Sequence, residues 1–141
     1  MATLYLETSA VLAWLLDEPE GQRVQGTIAG ATGLTASALT ELEVGRVISR
    51  DAVVGKRSEA DTLKLQGALA RERRRWTVVG VIEEVLERAA RKFPVEPVRT
   101  LDAIHLATAL ELLTVYPDLE LLTLDARIAQ NAHALGLPLA S

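Results

Sequence analysis

Leu4-Tyr5-Leu6-Glu7-Thr8-Ser9-Ala10-Val11-Leu12 is the stretch whose reading decides the fold. Its apolar start followed by a long apolar run predicts a short buried strand over 4–6. That strand passes directly into a buried helix from Thr8 to about Leu16. One carboxylate, Glu7, stands at the junction. In an open α/β sheet, ligands gather at the carboxyl ends of the strands, so an acid left there is a candidate site residue. Glutamate is a poor helix cap beside Thr8 and Ser9, and Leu6 and Ala10 imply burial, so capping alone does not account for Glu7.

Outward from this stretch, Asp17 to Gly21 breaks the helix and a weaker helix runs to about Ala29. Leu34-Thr35-Ala36 reads as a brief strand. Ser37 then caps a helix to about Val53, with Leu39, Leu42, Val47 and, at its end, Val54 toward the core. Ser58 opens another helix, which ends in the basic run Arg71 to Arg75. Trp76 to Val79 is strand-like, and Ile82 to Phe93 is an amphipathic helix. Pro94 and Pro97 mark a loop to Arg99, after which Thr100 caps a strongly apolar helix to about Thr114. Leu119 to Leu124 is an apolar strand, Asp125 starts a helix to Leu135, and Leu137 to Leu139 reads as a short edge strand. Strands alternating with helices imply a parallel sheet covered on both faces. The expected architecture is a single three-layer α/β/α sandwich, one domain over 1–141.

A length of 141 residues is enough to bury a proper core, and the 49% apolar content is that of a globular chain. The longest apolar run starts at Ala10 and stops at Asp17, far short of a bilayer span. The start of the chain lacks a basic segment and cleavage site, so a cytoplasmic location is expected. The absence of cysteine excludes disulfides, thiolate metal sites and cysteine nucleophiles. A net charge of −4 argues against a broad basic nucleic-acid-binding face, although acids that hold divalent metal attract phosphate.

Carboxylates therefore carry the candidate chemistry. Glu7 and Asp125 both follow apolar strands, so a parallel sheet sends them to the same rim. Asp102 and Glu43 lie near the N-termini of helices that face that rim when the crossovers are right-handed. Glu43, four residues after Leu39 and four before Val47, falls on the expected core stripe, where an unpaired charge is costly. Asp125 has an ordinary alternative as a helix cap, and Asp102 as an acid complementing the helix dipole. Four carboxylates at one rim, with no cation expected beside Glu7 or Asp102, call for a hard divalent metal. Oxygen-only ligands select magnesium or manganese over zinc. Such a site suits phosphodiester hydrolysis by a metal-activated water. Thr8, Ser9 and Thr123 would support the carboxylates, and Arg127, two residues after Asp125, would touch phosphate or a partner's carboxylate. His105, one turn after Asp102 on the same face, reads first as a buried, hydrogen-bonded structural histidine and, as the alternative, as a contact with the site; His133 is expected on the surface.

Four stretches carry a family likeness: Tyr5 to Ala10, Leu39-Thr40-Glu41-Leu42-Glu43-Val44, Arg99 to Ala107 and Leu122 to Arg127. With the closing Ala132 to Leu137, the chain resembles the PIN-domain ribonucleases, in particular the VapC-like toxins of toxin–antitoxin pairs. The resemblance implies a Mg2+- or Mn2+-dependent endoribonuclease that acts on RNA, a homodimer and a cognate antitoxin. It maps the acidic positions onto Glu7, Glu43, Asp102 and Asp125, with Glu41 a weaker alternative to Glu43. The family's first acid is usually aspartate. The extra methylene of Glu7 moves the carboxylate by roughly 1.5 Å, against a catalytic tolerance of about 0.5 Å. An alternative reading is thus a catalytically weakened PIN domain that binds RNA or antitoxin as a regulator. A receiver-like phosphoryl-transfer domain fits less well, because it needs a nucleophilic aspartate where Glu7 stands.

Overall fold

Alternation along β1 (Thr3–Leu6) builds the two halves of the core. Leu4 and Leu6 enter one apolar cluster and Tyr5 enters the other. The structure, a computed structural model, describes residues 2–141. In chain order, β1 is followed by α1 (Thr8–Leu15), α2 (Gly21–Ala29), β2 (Gly33–Ser37), α3 (Ala38–Val53) and α4 (Glu59–Arg73). Then come β3 (Thr77–Val79), α5 (Glu83–Ala89), α6 (Thr100–Val115), β4 (Leu119–Leu122) and α7 (Ala126–Ala134). The sheet order is β3-β2-β1-β4, and every pairing is parallel. A single parallel bridge, Leu121 to Leu139, stands where a short edge strand is expected from sequence.

One cluster lies under α1 to α4, with Val11, Val24, Val44, Ile48 and Leu69 against Leu4, Leu6 and Leu122. The other lies under α6 and α7, with Leu106, Leu112, Ile128 and Ala132 against Tyr5, Leu119 and Leu121. This is the three-layer α/β/α sandwich expected from the alternation of elements. Gly21 sets the spacing of α1 and α2: a Cβ there would stand 2.5 Å from the Ala13 carbonyl oxygen. Asp17 turns the chain between them at a φ of 55°.

Three local expectations are corrected. The buried stripe of α3 is Leu39, Thr40, Val44, Ile48 and Asp51, whereas Leu42 and Val54 are exposed and Val47 is half-buried. The stripe turns toward Thr40 because its hydroxyl donates to the Leu6 carbonyl oxygen at 3.0 Å, which docks the helix start on the end of β1. The helix expected over 82–93 ends at Ala89. Pro94 disfavours helical backbone at Phe93, whose N–H instead donates to Glu96 while its ring is buried. Thr100 is the first residue of α6 and not its cap; Arg99 holds the cap position without a side-chain bond.

Candidate active site

Glu7 ends β1 at the carboxyl edge of the sheet and is the N-cap of α1, contrary to the expectation that Thr8 or Ser9 would cap. Its Oε2 accepts from the Ser9 N–H at 3.0 Å. Its Oε1 accepts from the Ser9 hydroxyl at 2.5 Å and from the Thr123 hydroxyl at 2.5 Å. Both hydroxyls are themselves oriented. Ser9 Oγ accepts from Leu124 N–H at 2.8 Å and Thr123 Oγ1 accepts from Asp125 N–H at 3.0 Å, so each spends its own proton on Glu7. A buried charge needs such donors, and Glu7, 4% exposed, has three. The network ties the β1–α1 junction to the β4–α7 junction.

Glu43 sits on α3 beside the buried stripe, not on it, and faces the same edge. Its Oε1 accepts from the Thr8 hydroxyl at 2.5 Å and pairs with His105 Nε2 at 2.6 Å. His105, on the opposite layer in α6, is completed by Tyr5, whose hydroxyl lies 2.7 Å from Nδ1. The bond between Glu43 and His105 thus closes over the end of β1. Burial would raise the Glu43 carboxyl. Hydrogen bonds from His105 and Thr8, with the nearby charges of His105 and Arg99, outweigh burial and hold it below the ordinary value. Burial pushes the Tyr5 phenol far above its usual range, only partly offset by the hydroxyls of Thr40 and Ser37, so it stays protonated.

Asp102 is buried in the first turn of α6, and its Oδ2 pairs with Arg99 Nε at 3.2 Å. A cation does stand beside Asp102, contrary to the sequence expectation. It lies one helical turn earlier, where residues three apart are neighbours. Asp125 caps α7, its Oδ1 accepting from the N–H groups of Arg127 at 2.9 Å and Ile128 at 3.0 Å. Arg127 Nη1 donates to the Pro97 carbonyl oxygen at 2.7 Å, which secures the 94–99 loop against α7. Asp102 and Asp125, from separate segments, line one cleft of about 310 Å3 with Pro97, Val98, Arg99 and Arg127. Glu41 is not part of it. It pairs with Arg73 and lines a groove between α3 and α4.

Among the described residues, no three acidic or histidine side chains stand close enough together to cage an ion. The donor set nevertheless suits a hard divalent cation, because it is carboxylate oxygen alone. Glu43 Oε2, Asp102 Oδ1 and Asp125 Oδ2 make no hydrogen bond among these residues, which leaves one free oxygen on each. Glu7 differs from the other three, since both of its oxygens already accept bonds. Sequence reasoning left out Tyr5. For His105 it expects a buried, hydrogen-bonded histidine, which the structure shows, and as the alternative a contact with the site from the face of Asp102, which the bond to Glu43 also supplies.

A model of the PIN domain matches residues 4–134. The chain belongs to the PIN-domain family. Within that family it is VapC-like. It is 35% identical over 136 residues to Ribonuclease VapC35 of Mycobacterium tuberculosis, covering 95% of this chain and 93% of that one. It is 34% identical to Ribonuclease VapC46 of the same organism over 138 residues, 97% and 95% of the two chains. Among solved structures, M. tuberculosis VapC20, titled a Sarcin-Ricin loop cleaving toxin, superposes with a TM-score of 0.67 at 14% identity. That match covers 90% of this PIN chain and 93% of VapC20. VapBC-1 from nontypeable Haemophilus influenzae superposes at 0.61 and 16% identity, covering 99% and 97%. At these identities the two structures show the PIN-like fold alone.

Proposed function

We propose that this PIN domain is a metal-dependent endoribonuclease and the toxin of a toxin–antitoxin pair. The observation that carries the proposal is the cleft lined by Asp102 and Asp125, each with a free oxygen, together with Arg99 and Arg127. The ribonuclease names of the relatives at 35% and 34% identity support the same activity.

The residues divide the work by their bonding. Asp102 and Asp125, which line one cleft, would hold Mg2+ or Mn2+ through their free oxygens, with Glu43 at the same edge of the sheet and Glu7 holding the frame. Bound there, such a cation would supply an acidified water and a positive charge for the phosphate oxygens. Hydrogen bonds from His105 and Thr8 keep Glu43 ionised, so that its charge favours a cation at this edge of the sheet. Arg127 and Arg99 orient the phosphodiester through charge-assisted hydrogen bonds. No protein nucleophile is required. The partner is an antitoxin, as the VapBC description of the H. influenzae structure suggests, and the resemblance adds a homodimer and a cytoplasmic location.

A second reading is favoured by one observation, the full hydrogen bonding of Glu7: a weakened nuclease that acts mainly by binding RNA or antitoxin. Cleavage of RNA by the wild type and Asp102→Asn, with Mn2+ titrated calorimetrically, separates the two. The nuclease reading expects cleavage by the wild type only. Equal, negligible cleavage by both proteins, with antitoxin bound by both, establishes the binding reading.

A further inference from the structure

Asp125 has a second side. Besides the cleft it shares with Asp102, it lines a separate hollow of about 350 Å3 with Glu20, Arg23, Thr123, Ala126 and Ala129. The two hollows have no other lining residue in common, so they flank the start of α7. Arg23 belongs to the first turn of α2, whose start is held against α1 by the close approach of Gly21 to the Ala13 carbonyl oxygen. Glu20, just before that helix, makes no cap bond. Its Oε2 instead accepts from Arg23 Nε at 2.6 Å. Both side chains are half exposed, at 48% and 55%, so the pair adds little to stability. The two Nη groups of Arg23 make no hydrogen bond among the described residues, which leaves the outer edge of the guanidinium fork open. Thr123, Ala126 and Ala129 give the hollow small, uncharged walls.

We infer that this hollow is a second substrate subsite, in which Arg23 binds a phosphate next to the scissile one and Glu20 opposes that binding. The inference rests on the nuclease reading for the identity of the polymer. An endonuclease holds a chain that continues past the bond it cuts. A strand whose scissile phosphate lies in the cleft of Asp102 and which passes over Asp125 enters the hollow of Arg23 next. The net charge of −4 gives the molecule as a whole no attraction for RNA, so a phosphate is retained where a local cation has unspent donors. The open edge of a guanidinium matches phosphate oxygens in both charge and geometry. Glu20 acts with the opposite sign, because an acid bonded to the same guanidinium competes with phosphate for it and repels the strand. The two halves of this pair therefore have opposite effects on RNA, whereas a pair that only shaped the start of α2 would give effects of one sign.

The test compares Arg23→Gln and Glu20→Gln with the parent protein. Binding of a fluorescein-labelled single-stranded RNA is followed by anisotropy in Mn2+ across a salt series, in the Asp102→Asn background that the nuclease reading expects not to cleave. Arg23→Gln should weaken binding about 2- to 5-fold, the scale of one half-exposed ionic contact. It should also reduce the slope of log K against log salt by about 0.7, the share of one phosphate contact on a single strand. Glu20→Gln should tighten binding by a similar factor. In the cleaving protein, Arg23→Gln should raise KM and Glu20→Gln should lower it, with the effect in KM and not in kcat. Unchanged affinity and slope in Arg23→Gln overturn the inference, as do shifts of the same sign in both variants. A loss of affinity for poly-L-glutamate with none for RNA assigns Arg23 to an acidic protein partner and also overturns it. If the wild type cleaves no RNA, the nuclease reading fails, and the anisotropy still decides whether Arg23 holds the strand. No RNA binding by Asp102→Asn in Mn2+ overturns the subsite itself.

Discussion

Replacing Glu7 by glutamine distinguishes a carboxylate that holds the frame from one that serves mainly as a metal ligand. In the metal-free protein, a carboxylate placed among other acids is a source of repulsion, and neutralising it should leave stability unchanged or higher. Glu7 instead accepts three hydrogen bonds while 4% exposed. Glutamine has one carbonyl oxygen for these three donors, and its amide NH2 must face at least one of them. The lost bonds to a charged acceptor cost about 1.5–3 kcal/mol, and part of the α1 cap, worth roughly 1 kcal/mol, goes with them. Relief of repulsion among partly solvated acids returns about 1 kcal/mol. The net expectation is a destabilisation of about 2 kcal/mol. With an m-value of about 2 kcal/mol/M, the urea midpoint in EDTA falls by about 1 M. Asp102→Asn, which loses only a pair with an exposed arginine, should move by no more than about 0.5 kcal/mol. A midpoint for Glu7→Gln at or above that of the wild type would refute the reasoning.

Two further outcomes follow from the same geometry. The Glu43 carboxyl titrates below its ordinary value of 4.5, so the unfolded chain binds that proton more tightly than the folded one. Its contribution to stability is therefore complete above about pH 4.5 and is lost as the pH falls through the folded value. Thr8→Val, which removes one donor to Glu43, should cost about 1 kcal/mol at pH 7. In urea titrations at stepped pH, that difference should shrink on acidification. Gly21→Ala forces a Cβ to within 2.5 Å of the Ala13 carbonyl oxygen. It should lower the thermal midpoint by several degrees, corresponding to about 1–3 kcal/mol of strain, in a melt followed by circular dichroism.

The path from sequence to site was legible where local chemistry and long-range order agreed. Tyr5-Leu6-Glu7 reads as a strand end because apolar residues precede an acid and an apolar helix follows. The structure places that acid at the carboxyl edge of the sheet. Asp125 reads as a residue between strand and helix, and it caps α7 there. The engagement of Glu7 was only partly legible: its cap bond from the Ser9 N–H is local, but the Thr123 hydroxyl that also holds the carboxylate comes from 116 residues away. The stripe of α3 was misread for a related reason: helical periodicity ranks Leu42 as core, but the Thr40 bond to Leu6 turns the helix and leaves Leu42 exposed.

The order of the elements, the parallel sheet and the acids at its edge follow from the sequence by itself. They depend on periodicity, turn residues and the handedness of crossovers, which act over a few residues or through general rules of chain connection. Only the tertiary structure decided how each carboxylate is engaged. His105 and Thr8 share one oxygen of Glu43, and Thr123 closes on Glu7 from the end of β4. Hydrogen bonds act within about 3 Å, a distance that spacing in the chain does not specify once the partners lie on different layers of the sandwich.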